Sequence, residues 1–203
     1  MEYLAIIIFI ISTCGTPGPN NTLIMASGLN YGIRRSLQHF FGIWVGFPAM
    51  FVAVGLGISR LFEEFPILHV MLKVVGATYL SYLAWRIAAA PISRLNETKS
   101  KPFTFLQAVA FQWVNPKAWV LAVGAIVTYT VISDSYISQV ITIALLFTIF
   151  GAPCSFLWLC FGASLKDVLQ KPTYVRTFNI AMAALLMGSL VPIFLELYQQ
   201  FTV

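Results

Sequence analysis

From Tyr3 to Ile33 the sequence carries no charged residue, and at the centre of that stretch lies Thr16-Pro17-Gly18-Pro19-Asn20-Asn21. An apolar segment of that length can cross a membrane as a helix, which puts two prolines, a glycine and two amides near the depth of the hydrocarbon centre. Each proline removes a backbone donor and clashes with the preceding turn, and no water is present at that depth to take the freed carbonyls. Such a break persists only where protein or a water-filled cavity covers it.

The rest of the chain is equally apolar. Its 203 residues are 59% hydrophobic and 9% charged, with a mean hydropathy of +0.85, which is more than a soluble core hides. Apolar length predicts six transmembrane helices, near residues 3–27, 36–59, 67–89, 105–131, 137–163 and 175–198, in a single transmembrane domain over 1–203. The first begins with Glu2 rather than a basic stretch and shows no small-residue cleavage site, so it reads as a retained helix and not a signal. A barrel requires short alternating strands, which runs such as Val140 to Phe150 are not. Cys14, Cys154 and Cys160 lie within spans without metal-ligand spacing and read as small packing residues; no metal and no cofactor is expected. The basic residues are dispersed among loops, which excludes a nucleic-acid surface.

Charge sets the expected orientation. Arg34, Arg35, Arg86, Arg94, Lys99, Lys101, Lys166, Lys171 and Arg176 fall on one side, whereas Glu2, Glu63, Glu64, Asp134 and Glu196 fall on the other with Arg60. The positive-inside rule makes the first, third and fifth loops cytoplasmic and puts both termini outside. The two halves, 1–90 and 105–203, each hold three spans and are joined by a cytoplasmic linker over 91–104. Three being odd, they enter the membrane from opposite sides, so any repeat between them is inverted.

The halves do match. Asn115-Pro116-Lys117 interrupts the fourth span near its middle as Thr16 to Asn21 interrupts the first; Gly46-Phe47-Pro48 in the second span has a counterpart in Gly151-Ala152-Pro153 of the fifth, and Lys73 and Asn179 lie at similar depths in the third and sixth. Paired interrupted helices in inverted halves point to a transporter site at the midplane.

At the first break the segment ending near Gly15 presents carbonyls and the segment starting near Asn20 presents amide donors, ends that suit an ammonium and a carboxylate respectively. Asn20 and Asn21 add donors and acceptors, so a zwitterionic amino acid is matched at both poles. Lys117 is the one charge between Phe103 and Ser133. It reads as a carboxylate ligand, as a site of reversible protonation, or as a structural partner for carbonyls freed by Pro116. The expected binding residues are therefore Thr16, Pro17, Gly18, Pro19, Asn20, Asn21, Asn115, Pro116 and Lys117, with Gln112, Trp113, Lys73 and Asn179 as candidates for cavity lining or coupling. Every acidic residue lies near a span end, which leaves no intramembrane carboxylate for a cationic side chain. His39 reads as interfacial, and Trp44, Trp85 and Trp158 as packing or anchoring residues. His39 and His69, expected near opposite faces, offer no dyad, so no catalytic residue is assigned and the chain is not read as an enzyme. A channel-like pore or a non-catalytic membrane scaffold is the alternative to a transporter.

The combination of Thr16-Pro17-Gly18-Pro19-Asn20-Asn21, then Gly28 and Gly32, then Asn115-Pro116-Lys117 in a chain of this size resembles the lysine exporter and homoserine/threonine resistance superfamily of bacterial amino-acid exporters. The resemblance spans the whole chain. It implies efflux of small amino acids or close derivatives from the cytoplasm, driven by the proton gradient as an antiporter, through a homo-oligomer in the inner membrane. Leu83-Ala84-Trp85-Arg86-Ile87-Ala88, Lys101-Pro102-Phe103-Thr104-Phe105 and Leu106-Gln107-Ala108 look similar to the branch that exports cysteine and O-acetylserine.

Overall fold

The computed structural model describes residues 3–58, 64–89, 101–130, 135–168, 172–188 and 190–202. Most of the expected 91–104 linker lies outside them, as do Glu2, Arg60, Glu63, Arg94, Glu97, Lys99, Asp134 and Lys171, and the side chains of Lys73, His69, Lys166 and Asp167. Among the described residues every regular element is helical. In chain order these are α1 (Tyr3–Gly15), α2 (Pro19–Ala53), a π-helical turn (Val54–Ile58), α3 (Pro66–Ala88), α4 (Phe105–Val114), α5 (Pro116–Tyr129), α6 (Tyr136–Leu146), a second π-helical turn (Phe147–Gly151), α7 (Ala152–Val168), α8 (Pro172–Gly188) and α9 (Val191–Thr202).

Prolines mark the helix boundaries. Pro19, Pro66 and Pro116 each open a helix at its first turn, where a missing N–H leaves no bond unmade. The start of α4 is set differently, by a capping box. The Thr104 hydroxyl accepts from Gln107 N at 3.3 Å, while Gln107 Oε1 accepts from Thr104 N at 3.0 Å.

Among the described residues two stretches, Pro19–Gly57 and Tyr136–Leu165, are long and apolar enough to cross a membrane. The first covers 39 residues, which as a straight rod would measure about 58 Å, against a hydrocarbon core of about 30 Å. It is not straight. Gly32 takes φ 75° and ψ 170°, a left-handed φ that favours glycine, and divides α2 into two arms. Ser27 and Ser36, nine residues apart, bring their hydroxyls to 2.8 Å, whereas a continuous helix would hold them about 13 Å apart. The turn expected between the first two spans, beside Arg34 and Arg35, is thus made by one residue.

Packing joins the two halves of the sequence throughout. α2 packs chiefly against α7 and then α4, and α3 packs against α8. One apolar core gathers Ile6 and Ile10 of α1, Met50 and Phe51 of α2, Ala122 and Ala125 of α5 and Ile143 of α6. Another joins Leu23, Leu80, Leu83, Phe111 and Leu186. The opposite faces of the same helices stay apolar and exposed, among them Leu4, Leu106, Val120 and Val127. A belt of that extent is suited to lipid contact.

Backbones come close where side chains are absent. A Cβ on Gly28 would collide with Leu159 O and Ala163 N, and one on Gly162 would collide with Met25 O, so the first arm of α2 and α7 meet almost main chain to main chain. Gly124, by contrast, faces open space. Gly162→Ala is expected to destabilise the detergent-solubilised protein by about 1–3 kcal/mol, and Gly124→Ala to leave it within about 0.5 kcal/mol. Equal unfolding midpoints for the two variants would refute this packing.

Candidate transport site

Both interruptions form where the prolines lie. The first separates α1 from α2 at residues 16–18, and the second separates α4 from α5 at Asn115. At the first, Pro17 lacks the N–H that Thr13 O would receive in a continuing helix. The Thr16 hydroxyl takes that carbonyl instead, at 2.8 Å. Asn21, buried, donates its Nδ2 protons to Cys14 O at 2.6 Å and to Thr16 O at 2.9 Å. One amide thereby holds the end of α1 to the start of α2.

The second break is closed from within. Pro116 cannot donate to Gln112 O, which accepts from Asn115 N at 3.3 Å. The Asn115 side chain caps α5 by accepting from Lys117 N at 3.1 Å. That leaves Trp113 O without its helical donor, and the Trp119 indole Nε1 reaches it at 2.8 Å.

The two breaks face each other. Asn20 Nδ2 donates to Gln112 Oε1 at 2.8 Å, Gln112 Nε2 donates back to Asn20 Oδ1 at 3.2 Å, and Gln112 Nε2 also bonds Ala108 O at 2.9 Å. Lys117 Nζ crosses to the first break, where it donates to Thr16 O at 3.0 Å, Thr16 Oγ1 at 2.9 Å and Pro17 O at 3.3 Å. A cap on the carbonyls of its own break was among the expected roles; the carbonyls it contacts belong to the other one.

Beside this junction lies a cavity of about 60 Å³, several times the ~10–15 Å³ that a single water needs. Its polar wall is Thr13, Cys14, Asn20, Asn21, Asn115 and Lys117, with Ser155 from α7. Among the described residues, Lys117 is the one charged residue in the lining. Of the residues expected at the site, Gly18 also lines the cavity; Thr16, Pro17, Pro19 and Pro116 shape the breaks without lining it, and Gln112 stands behind Asn20. Trp113 stacks edge-on with Trp119, their ring centroids 6.0 Å apart. Asn179 lies 3.5 Å from Asn30 Nδ2, outside the lining, and the Lys73 side chain is outside the described residues.

An apolar wall was not foreseen. Phe40, Trp44, Phe47 and Phe147 form it, drawn from the second arm of α2 and from the second π turn. Trp44, expected to pack or anchor, lines the cavity and donates Nε1–H to Thr148 O at 2.9 Å. His39, expected at an interface, is buried against Phe103 with ring centroids 5.0 Å apart. Both proline-bearing segments singled out in the sequence, Gly46-Phe47-Pro48 and Gly151-Ala152-Pro153, reach the cavity, but Phe40, Trp44 and Phe147 lie outside them and carry no sequence signal.

Helices interrupted inside an apolar bundle, with their polar ends turned toward one cavity, are the build of a helical membrane transporter. The chain belongs to the LysE type translocator family, whose model matches residues 11–194. It is similar to the cysteine/O-acetylserine efflux proteins of Escherichia coli (strain K12) and Shigella sonnei (strain Ss046), each 31% identical over 183 residues that cover 90% of this chain and 92% of the relative. No solved structure matches it. The protein is a membrane transporter and not an enzyme.

The reciprocal Asn20–Gln112 pair generates a prediction. Gln112→Ala removes a fully buried amide that bonds both the half-buried Asn20 and Ala108 O, and is expected to cost about 1–3 kcal/mol of stability. Asn20→Ala added to it should cost less than the sum of the single changes by about 0.5–2 kcal/mol, as read from unfolding in detergent. Strict additivity would show that the two side chains are not coupled.

Proposed function

We propose that the protein exports small zwitterionic amino acids or close derivatives from the cytoplasm, in exchange for protons, through the cavity at which its two helix breaks meet. The observation that carries this reading is the juxtaposition of the breaks. The Lys117 ammonium lines the cavity and reaches the carbonyls at the end of α1, and Asn20 and Asn21 at the start of α2 line the same cavity. The carbonyls suit an ammonium; the lysine and the amides suit a carboxylate. A lining in which the one charge among the described residues is positive disfavours a cationic side chain, and a cavity of about 60 Å³ favours a small ligand. The efflux proteins that resemble this chain are named for cysteine and O-acetylserine, both small and neutral in the side chain, and we propose substrates of that class.

In the same reading the chain crosses a bacterial inner membrane six times as a 3+3 inverted repeat, with halves 1–90 and 105–203 and both termini outside. Support comes from the contacts between counterparts, since the first break meets the second and α3 meets α8. Rocking one half against the other would open the cavity to alternate sides. A homo-oligomer fits the exposed apolar belt as well as lipid does.

Efflux of labelled cysteine, O-acetylserine and a panel of other amino acids from loaded proteoliposomes tests the function. Flux above that of protein-free vesicles is expected, stimulated by an inwardly directed proton gradient and lowered at least tenfold by Lys117→Ala or Asn20→Ala. Flux equal to that of protein-free vesicles for every amino acid would rule out the exporter, and normal flux in both variants would rule out the site. Flux indifferent to the gradient and to a protonophore would remove proton exchange while leaving export in place.

A further inference from the structure

The end of α1 is built to hold an ammonium ion, and the ammonium it holds belongs to the protein. Lys117 Nζ has three protons and meets three acceptors, Thr16 O, Thr16 Oγ1 and Pro17 O, at 2.9–3.3 Å. The orientation of the Thr16 hydroxyl is fixed, because its own proton is donated to Thr13 O, which leaves its lone pairs toward Lys117. Three acceptors with no donor among them match a charged amine, all of whose protons are then used.

The path of the lysine arm is also prepared. A Cβ on Gly18 would lie 2.6 Å from Lys117 Cδ and 3.1 Å from Nζ, so the arm lies across the break only because residue 18 has no side chain. Gly18 is extended, with φ 178° and ψ 176°, a conformation open to any residue. Its selection is therefore explained by the space that the lysine occupies and not by the backbone. Asn21 braces the same cluster from the other side by donating to Thr16 O, so the acceptors stay in place when the ammonium leaves.

From this geometry we infer that Lys117 is a tethered occupant of a primary-ammonium site, and that an incoming ligand's amino group must displace it. The inference rests on the proposed transport reading only for the identity of that ligand. Before displacement the lysine satisfies the helix end, whose residues Thr16 and Pro17 are exposed at the surface of the bundle, and keeps their carbonyls from facing an apolar surrounding bare. After displacement its freed ammonium lies within one side-chain length of the ligand's carboxylate. The exchange replaces one ammonium on the carbonyls with another.

The test removes or dislodges the occupant and offers a small amine in its place. Lys117→Met keeps most of the stem while deleting Nζ, and Gly18→Ala pushes the intact arm off the carbonyls. The thermal midpoint of the full chain in detergent is measured in methylammonium chloride, in tetramethylammonium chloride and in sodium chloride at equal ionic strength. Methylammonium, which has three N–H donors, should raise the midpoint of both variants by about 2–4 °C over sodium and leave the unsubstituted protein unmoved. Tetramethylammonium, equally charged but without donors, should do nothing. An equal rise in the unsubstituted protein, no rise in the variants that fold, or an equal response to the two amines overturns the inference. Because this readout needs no flux, a failure of the exporter reading in vesicles leaves it intact, and the two failures are told apart.

Discussion

A helix interrupted inside an apolar bundle must have its freed carbonyls satisfied by the protein itself, and that constraint organises the centre of this molecule. Two prolines open the first break and one opens the second. The side chains that close them are Thr16, Asn21, Asn115, Trp119 and Lys117. Most are local, within a turn or two of the backbone group they serve. Lys117 is the exception, since it acts on residues about a hundred positions away. Three of these side chains, Asn21, Asn115 and Lys117, also face the cavity, so structure and binding capacity arise in part from the same residues.

This economy explains why glycine recurs where the helices cross. Gly28, Gly42, Gly46 and Gly162 each stand where a Cβ would press on a neighbouring backbone or β-carbon, and they let α2 approach α7 and α4 closely enough for the two breaks to meet. In lipid, packing of this kind takes over the role that water exclusion plays in a soluble core. Displacing α7 by the width of one methyl group would move Ser155 and Phe147 away from the cavity together.

What could be read from the chain alone follows from how local each signal is. Proline acts on its own turn, so the breaks at Thr16 to Asn21 and at Asn115-Pro116-Lys117 were legible, as was the all-helical class from apolar length. The turn between the first two spans was marked by Arg34 and Arg35, although its mechanism, a single positive φ at Gly32, was not. Partners across the bundle were out of reach. That Gln112 pairs with Asn20, or that Lys117 bonds Thr16 and not the carbonyls beside Pro116, depends on the rotation of each helix about its axis, which no spacing in one segment determines. The aromatic wall shows the same limit. Phe40, Trp44 and Phe47 look like ordinary apolar span residues until α7 and the π turn at Phe147–Gly151 are placed against them.

The two breaks differ in one respect that outweighs their likeness. Trp119 and Asn115 close the second from within its own stretch of chain, each no more than six residues from the backbone group it serves. The first is held partly by Asn21 and partly by a lysine from the other half. One elbow is thereby closed by its neighbours in sequence, and the other has a latch that comes from a hundred residues away.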